Sequence, residues 1–98
     1  MISVTNYREF NEEIDAPSVV AAVSNVENPH KRQILDYMKS FEEDVVCPIK
    51  VQDAVTGKST EITLVYYTDG EFIWDERDIY HFEKYNISLN EHFLKKVM

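Results

Sequence analysis

The chain has 98 residues, close to the commonest size of a single domain, and its two glycines and three prolines leave no stretch with the composition of a linker. Eighteen acidic residues against ten basic ones give a net charge of −8, which repels phosphate backbones and argues against direct nucleic-acid binding. The one cysteine, Cys47, excludes an internal disulfide and makes a cysteine-based zinc site untenable, and no apolar run approaches the ~20 residues of a membrane span.

A domain of this size buries roughly 65% of the surface of its unfolded chain, enough for one core but with little room for a deep cavity as well. The first ten residues lack a basic region followed by an apolar one, so no secretory signal is visible and a reducing, cytoplasmic location is expected. The acidic balance serves solubility. It also suits steering toward a basic partner.

In chain order, Tyr7, Phe10 and Ile14 share one face of a first short helix, with Thr5 or Asn6 as its cap. Asp15-Ala16-Pro17 breaks it, and Pro17 can open a second short helix over residues 17–26. The β-branched content of that run leaves part of it open to an extended conformation. Asn28 and Pro29 then suit the N-cap and first position of a helix running to Phe41, in which Ile34, Tyr37, Met38 and Phe41 keep the helical period. Glu42, Glu43 and Asp44 oppose the helix dipole and end it.

The period then changes to two. Val45, Cys47, Ile49 and Val51 alternate with their neighbours, and Pro48, which has no N–H, places this strand at a sheet edge. A loop over residues 53–58 leads into a second strand, 59–67, and Asp69-Gly70 turns it into a third, 71–74. The spacing predicts a three-stranded antiparallel meander with the long strand in the centre. Asp75 suits an N-cap, with Glu76 and Asp78 on the positive end of the helix dipole and Asn86 as the stop. Ser88 and Glu91 have the spacing of a capping box before a last helix carrying Leu89, Phe93 and Val97. The fold class is therefore α+β: N-terminal helices, a three-stranded meander and two C-terminal helices in one domain.

Residues 66–82 gather five carboxylates, Asp69, Glu71, Asp75, Glu76 and Asp78, against one arginine. An EF-hand would need alternating ligands, a central glycine and a glutamate at position 12, whereas here Gly70 comes second and the run continues as strand and helix rather than as a loop. Capping and turn roles account for all of the acids except Glu71. His30, His81 and His92 fall in separate elements without a metal-ligand pattern, and Cys47 has no basic neighbour to activate a thiolate. No metal, cofactor or catalytic residue is expected. Trp74 suits a core anchor where the sheet meets the last helices. Its other reading, with Tyr67, Phe72 and Tyr80, is an exposed aromatic patch rimmed by acids, the composition of a protein-binding hot spot.

The segment from Tyr66 to Phe93 resembles the C-terminal part of small, mostly uncharacterised bacterial single-domain proteins. They carry a T-D-G-x-x-x-W turn and strand, matched by Thr68, Asp69, Gly70 and Trp74. Their Y-x-x-x-Y-N/H-I/V-x-L-x-x-x-F ending is matched by Tyr85, Asn86, Ile87, Leu89 and Phe93, with His81 where the first tyrosine is usual. The resemblance covers about a third of the chain. Asp75 and Asn90 stand where those proteins often have prolines. It implies a shared fold and an immunity-protein-like role, and carries over no catalytic residue. The expected partner is a basic protein, such as a toxin domain with nuclease activity. Its expected interface is Glu71, Trp74, Asp75, Glu76, Asp78 and Tyr80, with Glu42, Glu43 and Asp44 as a second patch. Burial of the exposed aromatics by a second copy of the chain, or a small ligand-binding domain or enzyme, are the alternatives.

Overall fold

The computed structural model describes residues 1–98. In chain order it contains β1 (Ile2–Ser3), α1 (Arg8–Asn11), a 3-10 turn (Val19–Ala22), α2 (Lys31–Met38), β2 (Val45–Gln52), β3 (Ser59–Thr68), β4 (Phe72–Asp75), α3 (Glu76–Tyr85) and α4 (Glu91–Val97). The fold is α+β, and its sheet has four strands in the order β1-β4-β3-β2. The period-two segment forms the antiparallel run β2–β3–β4, with β2 at the edge that Pro48 requires.

The expected three-stranded sheet is corrected by β1, which pairs parallel with β4, Ile2 opposite Phe72 and Ser3 opposite Ile73. The backbone N–H groups of Ile2 and Val4 donate to the carbonyls of Glu71 and Ile73 at 3.0 and 3.1 Å. Two residues are too few for an alternating pattern, and the pairing is made by backbone groups common to all residues. The sheet is therefore mixed, and β3 shares its centre with β4.

The N-terminal third departs most from the expected helices. The chain turns left-handed at Glu12 (φ 56°), so α1 stops before Ile14, which is left 83% exposed while Tyr7 and Phe10 are buried. Tyr7 is its N-cap, and the Thr5 side chain is engaged elsewhere. Residues 17–26 hold only the single 3-10 turn, capped by Ser18, with extended chain on either side. Four β-branched valines favour that outcome over a regular helix. α2 spans eight residues. Asn28 sits one turn ahead of it, its side chain accepting the His30 N–H at 2.8 Å.

The Asp75 carboxylate accepts the Arg77 N–H at 2.7 Å, and the Asp78 carboxylate reaches back to the Asp75 N–H at 3.0 Å. This reciprocal pair starts α3, and Asn86 in the left-handed region (φ 56°) ends it. α4 is capped by Asn90, whose side chain accepts from His92 and Phe93, and not by Ser88. After the left-handed turn at Asn86, burial alternates: Ile87 and Leu89 enter the core and Ser88 between them is left in solvent.

Register places Val46, Val65, Tyr67 and Trp74 on one face of the sheet and Val45, Tyr66 and Asp75 on the other. α2 and α4 cover the first. The Trp74 indole N–H donates to the Met38 carbonyl at 3.0 Å, and its ring lies 5.4 Å from Phe41 and 5.5 Å from Phe93. Arg77 spans the second face toward Phe10. One core of Val4, Phe10, Ile34, Met38, Phe72, Trp74, Phe82 and Phe93, among others, runs through these layers. No helix is long and apolar enough to cross a membrane.

Candidate interaction surface

The acid-rich run of residues 66–82 does not form one surface. Trp74 is 1% exposed and belongs to the core, so the reading of it as an interface aromatic is set aside. Asp75 is buried as well, held by both ends of the Arg77 guanidinium at 3.1 and 2.9 Å. The same guanidinium donates to the Phe10 carbonyl and the Tyr66 hydroxyl, which occupies four of the five donors of a partly buried arginine and neutralises the Asp75 charge where it is desolvated. Asp78 is fully enclosed and accepts from the Thr5 hydroxyl. Burial and the neighbouring Asp75 charge push its carboxyl up to about 7, against the pull of the Thr5 and Asp75 hydrogen bonds. Neither aspartate is available to a partner.

The other acids of the run are partly committed. Glu71 is exposed but pairs with Lys96 at 2.9 Å, and Lys96 also holds Asp69 at 2.9 Å. Tyr80 is half-buried and donates to Asp53 at 2.7 Å; Tyr85 donates to the same carboxylate. Burial pushes the Asp53 carboxyl up, but the hydrogen bonds from Tyr85, Tyr80, Thr56 and Val55 outweigh it and hold the group well below the usual carboxylate range. This loop anchor was not foreseen from sequence, though an aspartate before a turn with tyrosines five apart on a later helix is a readable trace of it. Glu76 is half-buried and accepts from the Tyr67 hydroxyl.

Among the acids expected at the interface, the uncommitted ones lie just before β2. Glu42, Glu43 and Asp44 are exposed, and none takes part in the ion pairs of the molecule. The Tyr67 hydroxyl donates to Glu76 and the Asp44 N–H donates to the neighbouring Tyr66 carbonyl at 2.9 Å, which puts Glu76 and the 42–44 acids at the same end of the sheet; burial, the Glu76 hydrogen bond, and the Glu76 and Glu43 charges push the Tyr67 phenol well above its ordinary value. Directly after these acids, Val45, Val46 and Ile49 are 51%, 53% and 58% exposed. In sequence they show only the alternation of an ordinary strand. The signal that marks them is the proline-bearing edge strand, whose residues have a neighbour on one side only.

Beside Ile49 a half-open groove of about 460 Å³ runs between β2 and α1, lined by Phe10, Val51 and Leu64, with Glu9 and Arg77 at its wall. Glu9 is committed to the Ser18 hydroxyl and the Val19 N–H, and Arg77 to the partners above. The groove therefore offers apolar contact and no free ionic group on that wall.

No three His, Cys, Asp or Glu side chains converge on a point that could hold a metal ion. His81 is buried, its Nε2 accepting from the Ala54 N–H at 3.0 Å and its Nδ1 facing the Arg77 carbonyl at 2.7 Å, which assigns a neutral ring with the proton on Nδ1. Burial lowers its pKa. Every buried side-chain polar atom has a hydrogen-bond partner, so no orphaned group points at an absent ligand. Comparison with protein-family models, curated proteins and solved structures gave no match.

Proposed function

We propose that the protein is a non-catalytic binder of a basic protein, acting in the cytoplasm as an immunity protein that occludes a cognate bacterial toxin such as a nuclease. The observation that carries this reading is the pairing, at one sheet edge, of three exposed and unpaired acids, Glu42, Glu43 and Asp44, with three half-exposed apolar side chains, Val45, Val46 and Ile49. Free acids steer a basic surface into contact, and the apolar side chains behind them lose water on docking. A nuclease site has to be basic to hold nucleic acid, so covering it would block both substrate and chemistry. Glu76 and Tyr67 extend the patch at the same end. Relative to the sequence expectation, the interface moves from the start of α3 to the start of β2.

The test is capture by the tagged protein at low and high salt, followed by an activity assay of what is captured. A basic protein retained at low salt, released at high salt, and inhibited in its toxic activity by the wild type but not by the triple variant E42K/E43K/D44K supports the reading. Inhibition that survives the triple variant sinks this interface. A second reading, self-association, is favoured by the exposed valines alone. Sedimentation over a range of concentrations separates the two.

A further inference from the structure

Resting on that reading, we propose that the partner binds by strand addition: an extended basic segment pairs with the outer edge of β2 as a fifth strand and seats an apolar side chain in the groove beside Ile49. β2 is hydrogen-bonded to β3 on one side only, so alternate N–H and C=O groups from Val45 to Cys47 point outward. Edge strands are commonly blunted by charged side chains, and here the one charged residue of the strand, Lys50, is drawn back over β3, its ammonium on the Thr63 hydroxyl at 3.1 Å and the Glu61 carbonyl at 3.3 Å. Pro48 and the shift of register between Cys47 and Lys50 confine regular pairing to the first half of the strand.

Val45 and Val46 are consecutive and both half-exposed, so they present apolar surface on opposite faces of the sheet at the same point of the edge. An added strand covers both. Every second side chain of that strand is directed to the face carrying Leu64, where the groove opens. Half of its lining is apolar, and its ionic groups Glu9, Lys50 and Arg77 are already hydrogen-bonded within the chain, so the seat suits a valine, leucine or phenylalanine and not a charge. Glu42, Glu43 and Asp44 lie at the mouth of the pairing segment and select lysine or arginine at the end of the incoming strand that passes them. A second copy of the chain is disfavoured as the occupant, because each copy carries a net charge of −8.

The proposal is tested on the full-length, 15N-labelled protein with an octapeptide of alternating lysine and valine, and with its fully N-methylated analogue, which keeps the charge and side chains but has no backbone N–H to donate. Amide exchange and chemical shifts are followed by NMR. The expected result is slowed exchange at alternate amides between Val45 and Cys47, shifts at Ile49 and Leu64, and binding about tenfold weaker for the methylated peptide. Equal binding of the two peptides, weakened in both by E42K/E43K/D44K, overturns strand addition and leaves the basic-partner surface standing. No binding of either peptide, or binding indifferent to the charge reversal, removes both.

Discussion

Thr5 donates its hydroxyl to the buried carboxylate of Asp78, 73 positions further along the chain. The bond fastens the turn after β1 to the first turn of α3, and it does so at the one carboxyl whose value is pushed up to about 7. Its native value exceeds the unfolded one, near 3.9, so between those limits the folded protein holds a proton that the unfolded chain has lost. Asp78 therefore favours the fold most at low pH, and that contribution falls as pH rises toward 7. His81, whose pKa burial lowers, acts in the opposite sense: its contribution is present above about 6.5 and is lost as pH falls. Subtracting a variant removes this second slope. From pH 5 to pH 8 the stability of Asp78→Asn relative to wild type should shift in the variant's favour by ~1–3 kcal/mol. Urea melts of both proteins at the two pH values decide it, and a constant difference would refute the assignment.

Asp53 should behave with the opposite sign. Its native pKa is depressed, so its stabilisation is complete above the unfolded value and disappears as pH falls below it. At neutral pH, Asp53→Asn is expected to cost about 2–3 kcal/mol, because two tyrosine hydroxyls and two backbone amides lose a charged acceptor in a buried site. The gap to wild type should narrow steadily in acid. A gap that stays the same down to the acid transition would show that the carboxylate charge is not what the tyrosines hold.

Trp74 gives an optical reading of the core. It is enclosed by Phe41, Phe93 and the Met38 carbonyl, so its native emission should be blue-shifted and poorly quenched by acrylamide. Partner binding at β2 should leave that signal unchanged. Trp74→Ala should cost about 3–5 kcal/mol. Ready quenching in the native protein would place the ring at the surface after all.

Lys31 ties α2 to the end of α3. Its ammonium donates to the Glu83 carbonyl and the Asn86 side chain, both at 2.7 Å, at the negative end of the helix dipole. Lys31→Met is expected to cost about 1–2 kcal/mol and to speed exchange of the Tyr85 and Asn86 amides while those of β3 stay protected. Uniform acceleration across the protein would mean global destabilisation and no local cap.

The antiparallel strands and α3 were legible in the sequence because their signals are local. Alternation from Val45 onward, Gly70 at a turn that needs positive φ (97°), and Asp75 before an apolar helix each act within a few residues. β1 was not legible, since two residues paired through the backbone carry no pattern. The acids at Asp75 and Asp78 were assigned their capping roles, but charge in a sequence suggests solvent, and nothing near them shows that Arg77 and Thr5 enclose them. Ile14 kept the helical period and still fell outside the helix, because the chain reverses at Glu12. The candidate surface was half visible. Glu42, Glu43 and Asp44 stood out as charge, and Pro48 marked the edge strand, but alternation alone does not show that Val45 and Val46 are both left half-exposed there.

The parallel pairing of Ile2 and Ser3 with Phe72 and Ile73 also joins two strands about seventy residues apart in the chain. β1 has no strand to pair with until β4 is in place, and until then Val4, Tyr7 and Phe10 have no completed core to enter. This rung of the sheet therefore closes through a contact distant in sequence, whose loop-closure entropy must be met before the pairing rewards it, and that slows folding.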